Sequence, residues 1–125
     1  MKFLAQLFFV FIFSNYTNGQ CNFDNIFLQD ATPVGCPANI VVPCVNGGEY
    51  VTVNVNSGNI YTFTTCGSNA FDSQISVYDA TGATALGYND DACGVQSSVS
   101  FAPTFSGIVT VLVDEYNCAN TGVCI

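Results

Sequence analysis

Two adjacent carboxylates, Asp90 and Asp91, lie in the stretch GYNDDACG at residues 87–94, one residue after Asn89 and beside Cys93. Three chemistries would suit such a pair. Glycoside hydrolysis needs two carboxyl groups facing each other across a substrate. Neighbours on an extended chain point to opposite faces, so these two alone do not make that pair. Nucleophilic hydrolysis lacks its base, because the chain has 0 His and its 1 basic residue is Lys2. Cation binding fits better, since calcium takes about six to eight oxygens from carboxylates, amides and backbone carbonyls.

Asp72 and Asp79 flank one polar-alternating run, and Asn89, Asp90 and Asp91 close the next. If Asp72 comes beside that second turn, then Asp72, Asn89, Asp90 and Asp91 form a candidate calcium site. The plainer alternative is turn chemistry, because Asp and Asn cap turns and tolerate left-handed backbone. No cofactor is required by any other feature of the chain, and no catalytic residue emerges from it. Tyr78, Tyr88 and Tyr116 sit near strand ends close to acids and are candidate ligand contacts, since exposed tyrosine rings stack on sugars. The alternative for them is ordinary half-buried packing with the hydroxyl at water.

Residues 1–19 read as a secretory signal peptide: Lys2 is the positive end, Phe3 to Phe13 the apolar stretch, and polar residues lead to a cut near Gly19. The apolar stretch is too short to span a bilayer, which takes about 20 residues. A lipid anchor on Cys21 is the rival, but Asn18-Gly19-Gln20 makes a poor lipobox. The expected location is therefore extracellular, secreted or at the cell surface. All 9 acids follow Lys2, so the exported chain has no basic side chain with which to neutralise phosphates. That argues against nucleic acid as a partner and against attraction to anionic membrane. Glycans, surface proteins and self-association remain as partners.

The chain carries 7 Cys, all beyond the signal, in a compartment where disulfides persist. Zinc would need short CxxC pairs, usually with His, and neither occurs. The spacing suits a Cys66–Cys93 bridge from a strand end to the acidic turn, a local Cys118–Cys124 loop, and Cys36–Cys44 around a proline-rich stretch. Cys21 is then left unpaired or intermolecular. Long-range alternatives such as Cys21 to Cys124 stay open, because sequence alone fixes no connectivity.

From Glu49 onward apolar and polar residues alternate between turn signals, the pattern of half-buried strands. EYVTVNV puts Val51, Val53 and Val55 on one face, NSGN at 56–59 turns the chain, and IYTFTTC returns. SQISVYDATG, ATALGYNDD, VQSSVSFAPTF and GIVTVLVDEYN repeat the design. Residues 49–125 are thus expected to be the sandwich body with a C-terminal cysteine loop. Residues 20–48 are a cysteine- and proline-rich leading segment with a short edge strand near Ile40 to Val42. The fold class is all-β: an antiparallel β-sandwich, jelly-roll-like and disulfide-stabilised.

The ordered string YTF, FDSQISVYD, NDD and GIVTVLV within residues 48–117 resembles the bacterial pre-peptidase C-terminal (PPC-like) β-sandwich, in its cysteine-containing variety. That resemblance implies a secreted, non-catalytic binding or adhesion module at a bacterial surface, recognising carbohydrate or protein. Two other roles fit the same residues: a structural subunit of an extracellular filament or assembly, and an accessory domain of a secreted hydrolase.

Overall fold

In the computed structural model, which describes residues 21–23 and 26–125, the alternating valines build a single apolar layer between two sheets. The strands are β1 (Ile26–Asp30), β2 (Glu49–Val55), β3 (Tyr61–Thr64), β4 (Ser73–Asp79), β5 (Ala85–Asn89), β6 (Ser98–Phe101) and β7 (Gly107–Glu115). Five form one sheet in the order β1-β2-β7-β4-β5, and β3 pairs with β6 in the second. No α-helix occurs among the described residues, and no helix there is long and apolar enough to cross a membrane. The chain is all-β, as its alternation dictates. The expected signal peptide lies outside the described residues.

Register explains the core. Val51 stands opposite Val111 and Val53 opposite Val109, while Ile75 and Val77 meet Val113 and Val111 from the other side of β7. These residues share the inner face, and Val99 and Phe101 of β6 pack down on them. The turn at 56–59 closes with Asn59 N–H donating to Asn56 O at 3.3 Å, and Gly58 takes the φ of +89° that side chains resist.

The outer face of the large sheet is also covered. Gln74, Ser76, Tyr78, Thr110 and Leu112 are all buried. Residues 21–23 lie over it, with Tyr78 Oη–H donating to Cys21 O at 2.9 Å and the Phe23 ring 4.9 Å from Tyr50 and 5.4 Å from Tyr78.

Two expectations for the leading segment are corrected. The edge strand is β1, running parallel to β2 with Ile26 opposite Glu49, and not Ile40 to Val42. Both sides of β2 are taken by β1 and β7, and Pro37 and Pro43 remove donors on either side of the 40–42 stretch, which stays irregular with Val41 exposed.

The local cysteine loops are corrected too. Cys66 pairs with Cys93, but Cys118 pairs with Cys21 and Cys124 with Cys44, so the cysteine left free is the exposed Cys36 and not Cys21. The cause is tertiary. Residues 124 and 125 return beside residues 45 and 46 as an isolated bridge, with Val45 N–H donating to Ile125 O at 2.9 Å and Ile125 N–H to Val45 O at 2.8 Å. That places Cys124 against Cys44, with a Cα–Cα distance of 4.7 Å. Cys118 ends the 3-10 turn after β7 and meets buried Cys21.

Candidate functional site

The β4–β5 hairpin and the turns around it carry the acids. Pairing Ile75 with Asn89 sets residue 72, just before β4, at the same end as residues 90 and 91, just after β5. Three ties hold that end. Tyr116 N–H donates to Asp72 O at 2.8 Å, and Ser73 N–H to Val95 O at 2.9 Å. The Ser97 hydroxyl bridges the carbonyls of Ser73 and Asp90. The acidic turn itself closes on Gln96, whose carbonyl accepts from Ala92 N–H at 2.9 Å and Cys93 N–H at 3.0 Å. The Cys66–Cys93 bridge then pins the turn to the chain just beyond β3.

Within this frame Asp72, Asp90 and Asp91 each present a carboxylate oxygen, all within 4.8 Å of one another. Asp72 and Asp90 are half-buried and Asp91 is exposed. Asp72 Oδ1 and Asp90 Oδ1 are buried without a hydrogen-bond partner. Burial pushes the Asp90 carboxyl above its ordinary pKa, the charges of Asp91 and Asp72 add to this, and a hydrogen bond from Gln74 opposes it. Tyr88 feels the same field: burial first, then Asp90, Asp91 and Asp114, push its phenol up to about 12. With Lys2 the only cation in the chain, no side chain of the folded domain neutralises this end. Three carboxylates can supply as many as about six oxygens to a hard cation if each binds through both atoms, which is the lower bound for calcium.

The expected site residues therefore divide. Asp72, Asp90 and Asp91 converge. Asn89 does not join them, because its Oδ1 is taken up in accepting from Ser98 N–H at 3.1 Å, while the chain leaves the strand at Asp90 and the bend lets Asp90 and Asp91 converge. Tyr88, whose phenol feels Asp90 and Asp91, is 38% exposed, and Tyr116, joined to Asp72 through its backbone N–H, is 51% exposed. Tyr78 is no ligand contact: it is 7% exposed and its hydroxyl is spent on Cys21. Gln74, Gln96 and Ser97, which position the acids, were missed. Only their place two to seven residues along the chain from an acid could have marked them.

Three disulfides point to an oxidising, non-cytoplasmic environment. No curated protein and no solved structure matches the chain. A family model described as "Domain of unknown function (DUF8695)" matches residues 40–124, from the irregular stretch before β2 to the last disulfide. Covering more than half of the sequence, that match makes this chain a member of the DUF8695 family.

Proposed function

We propose that this chain is an exported, non-catalytic binding module of a bacterial surface whose acidic end holds a calcium ion. The observation that carries the reading is the meeting of Asp72, Asp90 and Asp91 within 4.8 Å, with two buried carboxylate oxygens lacking any partner. Such oxygens are costly unless something pairs with them. A divalent cation would relieve both the desolvation and the mutual repulsion. It would also tie the turn before β4 to the end of β5, setting Tyr88 and Tyr116 in place beside it as contact rings for a glycan or surface protein. The lack of His, and of any base beyond Lys2, supports the non-catalytic part. The bacterial-surface part is drawn from the resemblance of the YTF, FDSQISVYD, NDD and GIVTVLV string to PPC-like sequences.

The test is a melting curve in calcium against chelator. Bound calcium raises stability by RT ln(1 + [L]/Kd), about 2.7 kcal/mol at a hundredfold excess over Kd. Native protein is expected to melt higher in calcium and Asp91→Asn to lose most of that gain. A native midpoint unmoved by calcium would leave these residues as a solvated turn.

A further inference from the structure

The two sheets are unequal, and the difference leaves a cleft. The second sheet has two strands against five, so at the β1–β2–β7 side the sandwich is closed by β3 and the irregular chain of residues 31–45 and not by a further strand. A cleft of about 990 Å³ lies there between β3, with Tyr61 and Phe63, and the irregular chain of residues 31–45, reaching down to the buried Val51, Val53 and Val111. That volume falls at the upper end of the range of ligand-binding pockets. The cleft is lined by no charged side chain, in a chain whose net charge is −8.

One wall is an open strand edge. Thr65 N–H donates to Ser97 O at 3.0 Å, so the narrow pairs of the β3–β6 ladder fall at 65/97, 63/99 and 61/101. Alternation then turns the N–H and C=O groups of Thr62 and Thr64 away from β6. Among the described residues no backbone hydrogen bond joins β3 to residues 31–45. Exposed edges of this kind are templates for a further strand.

We propose that this cleft binds an extended, uncharged peptide segment of a partner protein, which adds to β3 as a third strand and lays alternate apolar side chains against Tyr61, Phe63 and the apolar residues 40–42. Charge chooses the occupant: an anionic segment meets the field of an acidic protein, and no acid in the cleft rewards a cationic one. The open edge chooses peptide over lipid, since an acyl chain would leave the donors and acceptors of Thr62 and Thr64 unmet. The four residues of β3 span roughly 13 Å, which suits a peptide of about four to six residues. The inference rests on the reading of the chain as a binding module but not on the calcium site, which lies elsewhere.

The free thiol of Cys36 lines the cleft and reports on it. The probe is an acetylated, amidated peptide of about six alternating threonines and valines, added to the oxidised protein while Cys36 alkylation by iodoacetamide and the amide signals of Thr62 and Thr64 are followed. We expect slowed alkylation and shifts at both amides. Thr62→Pro, which removes one donor, is expected to weaken binding about tenfold, equal to about 1.4 kcal/mol and near the worth of one hydrogen bond, and N-methylation of alternate peptide residues, which removes a whole row of donors, by more than that. The N-methylated arm holds even if Thr62→Pro fails to fold.

Equal binding of native and N-methylated peptide overturns the strand assignment, as does displacement of the peptide by a fatty acid. Absence of any protection overturns the site. Protection that rises with protein concentration alone makes the occupant a second copy and overturns the peptide. The calcium melt on the same sample separates the two claims: a calcium shift without peptide binding removes the cleft inference and leaves the cation reading standing.

Discussion

Replacing Cys21 and Cys118 together by alanine opens the bridge with the longest sequence separation, 97 residues. Its contribution is smaller than that separation suggests, because other bridges shorten the circuit. With Cys44–Cys124 intact, the path from Cys21 to Cys118 runs through that bridge and encloses about 30 residues, for which loop entropy in the unfolded chain gives about 3.6 kcal/mol. With Cys44–Cys124 removed, the shortest path runs through Cys66–Cys93 and encloses about 70 residues, giving about 4.4 kcal/mol. Either loss is a large part of the roughly 5 to 15 kcal/mol that holds a domain together. Guanidinium denaturation of four proteins measures both values: native, each bridge removed, and both removed. The Cys21–Cys118 bridge is expected to stabilise more when Cys44–Cys124 is absent, by about 0.8 kcal/mol. A loss under about 1.5 kcal/mol in the native background, or a bridge that matters less once its neighbour is gone, would refute the circuit reasoning.

Full reduction is expected to unfold the domain well below its oxidised midpoint, and equal midpoints with and without reductant would count against disulfide dependence. In chelator, Asp90→Asn should stabilise the protein at neutral pH. The raised carboxyl pKa means that its penalty is present above that pKa and is relieved as pH falls through it, so the advantage of the variant should fade in acid. Asp79→Asn should do the reverse. Hydrogen bonds from the side chains of Thr81 and Thr84 hold the Asp79 carboxyl well below its ordinary range, so its contribution is present above the unfolded pKa and lost as pH falls; denaturation midpoints across an acid series check both signs. Gly82→Ala is expected to cost about 1 to 2 kcal/mol for its φ of +73°. A further 1 to 3 kcal/mol, roughly, comes from its Cβ running into the Phe23 ring. Phe23→Ala in the same chain should restore only the second part, read as a non-additive double-mutant cycle.

The strands from β2 to β7 were legible because their information is local. Val51, Val53 and Val55 alternate with polar neighbours, and Gly58 marks a turn whatever lies beyond it. An oxidising environment was legible from the cysteine count, and the acids were found because Asp72, Asp90 and Asp91 sit at the ends of strands that a hairpin pairs. What the sequence could not express was partnership between distant segments. β1 was invisible as a parallel edge strand, because IFLQD has no period of its own and takes its place from β2. Tyr78 and Tyr88 have the same local context, yet one is sealed under residues 21–23 and the other stands open by the acids. The cysteines show the same limit: Cys118 is six residues from Cys124, but each bonds to a partner from the far end of the chain. Alternation and turn geometry are set by neighbours along the backbone, whereas pairing, burial of a second sheet face and an uncovered cleft depend on which surfaces the folded chain brings together.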